Sequence, residues 1–105
     1  MIKNLTKADF DEEIKKTTLS VVDFWANWCA PCRALVPVLE EIDSKIADCS
    51  ISKVNVDTEP ELAARFGVMS IPTIIFFKKN KQVDKLVGFS SKDKILELIE
   101  KYKKG

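Results

Sequence analysis

The chain has 105 residues, 46% hydrophobic and 31% charged, which is enough for one compact domain (residues 1–105) and hardly enough for two. Lys plus Arg number 17 against 16 for Asp plus Glu, a formal charge of +1, so attraction to nucleic acid or to an anionic membrane does not organise it. Histidine is absent, which removes the commonest general base and metal ligand and excludes Ser-His-Asp and Cys-His catalysis.

Residues Met1 to Phe10 carry Lys3, Lys7 and Asp9 and lack the apolar run and small-residue cleavage site of a secretory signal, so a cytosolic location is expected. Ile2 to Leu5 reads as a short first strand. Thr6 followed by Asp9 reads as a capping box, opening a helix through about Lys16 with Phe10 and Ile14 on one face. Leu19 to Ala26 follows as a buried strand, nearly continuous in apolar residues but interrupted by Asp23.

From Cys32 the period turns helical, with Leu35, Val38, Leu39, Ile42 and Ile46 on one stripe and Pro37 inside it as a kink. Ile51 to Val56 is the next strand. Thr58 then reads as a cap, with Pro60 in the first turn and Glu61 closing the box, for a short helix to Phe66 that Gly67 stops. Thr73 to Lys78 and Gln82 to Val87, joined by Lys79-Asn80-Lys81, form an antiparallel hairpin. Ser90 or Ser91 caps a last helix whose stripe is Ile95, Leu98, Ile99 and Tyr102. A βαβ unit followed by a hairpin and helix predicts an α/β fold with a mixed sheet covered on both faces. The apolar stretches, Ile71 to Phe77 among them, fall far short of the roughly 20 residues of a bilayer span.

Three cysteines are an odd number, against a disulfide-stapled secreted scaffold. Cys29 and Cys32 stand in Trp28-Cys29-Ala30-Pro31-Cys32. In a strand-to-helix turn Cys29 sits at the helix N-terminus, where unpaired N–H groups and the dipole favour a thiolate, the form that attacks disulfides. Cys32 faces the same side of the first turn and can reach it for a disulfide. Pro31 fits the first turn and stiffens the ring that closes on oxidation. A structural zinc knuckle and a pair of core cysteines are the alternatives. Tetrahedral zinc needs four ligands, which three Cys and no His do not supply, so no metal site is assigned and thiol–disulfide exchange is preferred.

The segment Val21-Val22-Asp23-Phe24-Trp25-Ala26-Asn27-Trp28-Cys29-Ala30-Pro31-Cys32-Arg33 resembles the active-site block of the thioredoxin family, with Pro37 where that family kinks its helix. Lys53-Val54-Asn55-Val56-Asp57, Phe66-Gly67-Val68-Met69-Ser70-Ile71-Pro72-Thr73 and Val87-Gly88-Phe89 resemble its later segments in the same order. The resemblance implies a thioredoxin fold, a five-stranded mixed sheet flanked by four helices. It implies a protein-disulfide reductase with no cofactor, acting as a monomer on disulfide-containing target proteins and recharged by a thioredoxin reductase. Cys29 would attack the target, and Cys32 would resolve the mixed disulfide.

On the strand pattern alone Asp23 is either buried, with a raised pKa suited to proton transfer, or an edge residue in water. The resemblance favours burial behind the pair, with Asp23 taking the proton of Cys32. It also puts Lys53 near that carboxyl, moderating it, where chemistry alone suggests a solvated lysine. Trp28 is a flat apolar contact for a target or a packing residue. The resemblance makes Ile71-Pro72 a cis peptide facing the disulfide, with the Ile71 backbone free to pair with an extended target and Gly88 allowing its close approach.

Ala30 stands where the family usually has Gly, so with Pro31 it tunes the redox couple, in a direction the sequence does not reveal. Ser70 and Asn80-Lys81 also depart from the family's usual glycines. Lys78, Lys79, Lys81 and Lys85 read as edge-strand protection, and Cys49 as a small, partly buried apolar residue. A disulfide oxidase or isomerase, which often places His between the cysteines, and a non-catalytic binding subunit are the rival functions.

Overall fold

The computed structural model describes residues 2–104. Its elements are β1 (Lys3–Asn4), α1 (Phe10–Lys15), β2 (Leu19–Trp25), α2 (Ala30–Lys45), β3 (Cys49–Asn55), α3 (Pro60–Arg65), β4 (Thr73–Lys78), β5 (Lys81–Val87) and α4 (Lys92–Lys104). The sheet order is β1-β3-β2-β4-β5. β3 runs parallel to β1 and β2, whereas β4 is antiparallel to β2 and β5, so the sheet is mixed.

Alternation along β2 sorts its side chains between two cores. Leu19 and Val21 join Leu35, Leu39 and Ile42 of α2 and Ile95, Leu98 and Ile99 of α4 on one face. Val22 and Phe24 join Phe10 and Ile14 of α1 and Leu62 of α3 on the other. This period of two places Asp23 on the Leu19/Val21 face, beneath α2. Phe66 links the second core through ring contacts with Phe10, Phe24 and Phe77 at 5.2, 6.1 and 5.3 Å.

Several local expectations are corrected. The Thr6 backbone N–H donates to Asp9 Oδ1 at 2.7 Å, one half of a capping box, but the helix starts at Phe10 with Asp9 as N-cap. Helix α2 starts at Ala30, so that Cys29 precedes it and Pro31 lies in its first turn as expected, although the apolar stripe begins only beyond Cys32, and it runs through Pro37 without ending. β3 starts at Cys49, where its pairing with Leu19 begins. Thr58 does not cap α3: its hydroxyl donates to the Asn55 carbonyl at 3.3 Å and Glu59 takes the N-cap position. Gly67, at φ 64°, ends α3 as expected, with Gly67 N–H on Ala64 O and Val68 N–H on Ala63 O.

The hairpin turn is two residues, Lys79-Asn80, both at positive φ (51° and 70°), and Lys81 already belongs to β5. That is the primed geometry matching strand twist, adopted here without glycine. Lys78 is no edge residue, because β4 lies inside the sheet; its ammonium donates to Tyr102 O at 2.6 Å, a cation at the C-terminal end of α4. Ser91 caps α4, accepting from the Lys94 N–H at 3.2 Å. No helix among the described residues is long and apolar enough to cross a membrane.

Candidate active site

β2 ends at Trp25, and the chain turns through Ala26-Asn27-Trp28 into α2. The turn is closed by the Cys29 N–H on Ala26 O at 3.2 Å, and Cys29 becomes the N-cap of α2 with an extended backbone (φ −92°, ψ 107°). Ala30 and Pro31 occupy the first two helical positions, where a missing N–H leaves no bond unmade. Cys29 and Cys32 are joined as a disulfide, with their Cα atoms 5.2 Å apart. The Cys32 N–H donates to Cys29 Sγ at 3.2 Å, one of the free amides of the helix end pointing at the sulfur that needs negative charge. Both cysteines are buried, Cys32 at 1% exposed and Cys29 at 5%, so Cys29 is the less enclosed of the two.

Facing the pair, the Ile71–Pro72 peptide is cis, and Ile71 O lies 3.8 Å from Cys29 Sγ. Pro72 is buried and Ile71 half-buried. Gly88 N–H donates to Pro72 O at 2.7 Å, bringing the end of β5 beside the cis peptide. Gly88 has φ 89°, and beyond its two chain neighbours no heavy atom of the described residues lies within 4 Å of where a Cβ would stand, so its own backbone requires glycine and not internal crowding. Ser70 is exposed, and its carbonyl accepts from the Thr73 hydroxyl.

Asp23 is 1% exposed, which resolves the two strand readings in favour of burial. Neither carboxylate oxygen has a hydrogen-bond partner among the described residues. Burial pushes its pKa up to about 7, and the charge of Lys53 holds it from rising further. Lys53 is the residue opposite Asp23 in the β2–β3 register, with its ammonium 4.9 Å from the centre of the Trp25 ring.

Trp28 is 68% exposed and does not pack inward. Its indole N–H donates to Asp57 Oδ2 at 2.9 Å, and the Asp57 N–H in turn donates to Asn55 Oδ1 at 2.9 Å. Nothing in the sequence alone marks Asp57 as a partner of Trp28, although it lies in one of the family-like segments. The same holds for Arg33, whose Nη1 donates to Asn27 O at 2.8 Å, and for the exposed Met69 (94%) and Phe89 (51%), which flank Ser70-Ile71-Pro72 and Gly88 in the chain. A large apolar side chain left in water beside a reactive centre is the sign that would have found the last two. Among the described residues no group of three or more His, Cys, Asp or Glu is placed to hold a metal ion.

Two sulfurs bonded across one helical turn, one on the residue that caps the helix and the other within its first turn, can store and release an electron pair, which is the work of a thiol–disulfide oxidoreductase. Comparison with known proteins narrows that class. The family model for thioredoxin matches residues 1–101. Thioredoxins of Staphylococcus saprophyticus and Rickettsia bellii are 46% and 43% identical to this chain over 102 and 101 residues, covering 96% and 94% of it and 97% and 96% of the relatives. A mutant thioredoxin from Halobacterium salinarum superposes with a TM-score of 0.90 at 32% identity, covering 96% of this chain and 88% of that one. Plasmodium falciparum thioredoxin does so at 0.89 and 35%, covering 96% and 99%. The chain belongs to the thioredoxin family, and its five strands and four helices are the thioredoxin fold.

Proposed function

We propose that this protein reduces disulfides in target proteins, carrying two electrons per cycle on Cys29 and Cys32. The reduced Cys29 thiolate attacks one sulfur of the target disulfide. That S–S bond breaks, a Cys29–target bond forms, and the other target sulfur leaves as a thiolate that takes a proton from water. Cys32 then gives its proton to the Asp23 carboxylate and attacks Cys29 Sγ, expelling the second target sulfur. The target has gained two electrons, and the chain is left with the Cys29–Cys32 disulfide.

One observation carries this reading: the pair straddles the N-terminal turn of α2 with the Cys32 amide donating to Cys29 Sγ. The burial of Asp23 and its pKa near 7 support the proton-accepting role, since such a carboxyl can both take and return a proton near neutrality. Lys53 keeps that pKa in the useful range, and Ala30 and Pro31 set the stability of the small disulfide ring. Trp28 supplies an apolar contact to the target. The Ile71 backbone beside Pro72 pairs with an extended target segment, and Gly88 leaves room for it.

The reading extends to a single-domain monomer of the cytosol, without cofactor or metal, recharged by a thioredoxin reductase. The test is reduction of insulin disulfides with dithiothreitol as donor, followed by precipitation of the freed chain. Catalysis by the unmodified protein and none by a Cys29→Ser, Cys32→Ser double variant is expected. Equal rates for the two would remove the assignment and favour a binding subunit.

A further inference from the structure

The segment Ala26-Asn27-Trp28 carries both the proposed target contact and the attacking sulfur, so whatever holds it sets where the first bond forms. Two side chains from outside the segment hold it. Asp57, from the loop after β3, takes the Trp28 indole N–H at 2.9 Å. Arg33, in the second turn of α2, reaches back over the helix end to Asn27 O at 2.8 Å, while its own backbone N–H donates to Cys29 O at 3.1 Å. Side chain and main chain of one residue thus grip the loop on both sides of Trp28.

The charge of Arg33 is also out of keeping with ordinary helix design. A cation near a helix N-terminus opposes the dipole, and carboxylates are the stabilising choice there. Helices α1 and α3 follow that rule, with Asp11, Glu12 and Glu13 in the first turn of α1 and Glu61 in that of α3, while α4 opens on Lys92-Asp93-Lys94 with one carboxylate between two lysines. Helix α2 has no acidic residue in its first turn and has Arg33 just beyond it. Residues four apart on a helix are neighbours, so Arg33 stands one turn after Cys29 and its side chain runs back past that turn to Asn27.

We propose that Arg33 is a positioning residue for the first half of the redox cycle: hydrogen-bonded to the Asn27 carbonyl, it holds the Trp28–Cys29 loop against α2 and keeps positive charge near the attacking thiolate. It acts on attack more than on resolution, because its side chain grips the loop that carries Trp28 and Cys29, whereas Cys32 is fixed within the first turn of α2 and Asp23 within β2. The proposal rests on Cys29 being the attacking thiol.

The test uses the full chain in a Cys32→Ser background, where attack on a protein disulfide stops at the mixed disulfide and its formation reports the first step alone. Arg33→Ala is expected to slow that step about three- to fivefold, the scale of one exposed charge-assisted contact. Arg33→Lys, which keeps a donor and a charge, should recover most of the loss. The pH profile of Cys29 alkylation should move to higher pH in Arg33→Ala, a shift a merely structural residue would not cause. With Cys32 restored, resolution should keep its rate. An unchanged rate of attack, or equal slowing of both steps, overturns the proposal. The parent chain run alongside separates the two readings. If it fails to reduce insulin, the reductase reading falls and this one with it; if it is active while Arg33→Ala is unimpaired, only the role of Arg33 falls.

Discussion

The two ends of the central strands place a cysteine in opposite circumstances. Where β2 runs out, Cys29 caps a 16-residue helix and receives the Cys32 amide at 3.2 Å. Where β3 begins, at the other end of the sheet, Cys49 pairs with Leu19 and packs against the core shared by α2 and α4. A basic residue accompanies each, Arg33 one helical turn after Cys29 and Lys103 acting on Cys49 through its charge. Yet burial outweighs Lys103 and pushes the Cys49 thiol up to about 11, with Asp43 adding to the rise. The contrast teaches that a nearby positive charge does not make a reactive cysteine. Backbone N–H groups aimed at the sulfur matter more.

The strongest way to break this comparison is to remove the favoured thiols. Cys29→Ser should abolish insulin reduction, a loss of at least about a thousandfold, since a serine hydroxyl has no comparable nucleophilicity near neutral pH. Cys32→Ser should instead permit one attack and then stall. Non-reducing gel electrophoresis would reveal the stable adduct with the target. Turnover by Cys29→Ser, with Cys49 serving in its place, would mean that the helix end confers nothing.

Next in size is Asp23. Its folded pKa of about 7 exceeds the ordinary 3.8, so between these values the folded chain binds more protons than the unfolded one. Stability is therefore greatest at low pH within this window and falls as pH rises toward 7; a shift of about three units corresponds to a loss on the order of 4 kcal/mol. Asp23→Asn should flatten that dependence, read as urea unfolding of the oxidised protein at pH 5 and pH 8. The same variant should slow resolution of the mixed disulfide at least about tenfold by removing the proton acceptor, with little effect on the first attack. An unaltered pH slope would show that another group is responsible, and equal slowing of both steps in stopped-flow measurements would remove the proton-transfer role.

How much of this could be read from the chain depends on how locally each feature is determined. The Cys29–Cys32 pair, the order of elements and the Gly67 stop follow from neighbours in sequence, so periodicity and turn chemistry suffice. Asp23 was readable as an interruption but not as a buried group, because alternation along a strand does not say which face α2 will cover. Asp57 and Arg33 were not readable at all as supports for the Trp28 loop. The first reaches Trp28 because β3 lies beside β2, and the second because the turn after Trp25 folds back over the start of α2. Thr58 misled because its hydroxyl turns back to donate to the Asn55 carbonyl, three residues before it, and the helix begins one residue later than a Thr58 cap requires.

The smallest expected effect on activity sharpens the comparison from its inert side. Cys49→Ala should change the rate of insulin reduction by less than about twofold, because nothing at that end of the sheet touches the redox pair. The thiol itself should be slow to react. At pH 8 a pKa of about 11 leaves about one thiolate in a thousand, against roughly one in four for an ordinary cysteine. The greater nucleophilicity of a more basic thiolate recovers about tenfold of that deficit, leaving alkylation on the order of twentyfold slower. Iodoacetamide labelling of a Cys29→Ser, Cys32→Ser double variant, native and then in urea, isolates Cys49, and unfolding should accelerate its modification by about that factor. Equal rates in the two states would mean that the strand end does not shield this sulfur, and that placement accounts for less of the difference between the two cysteines.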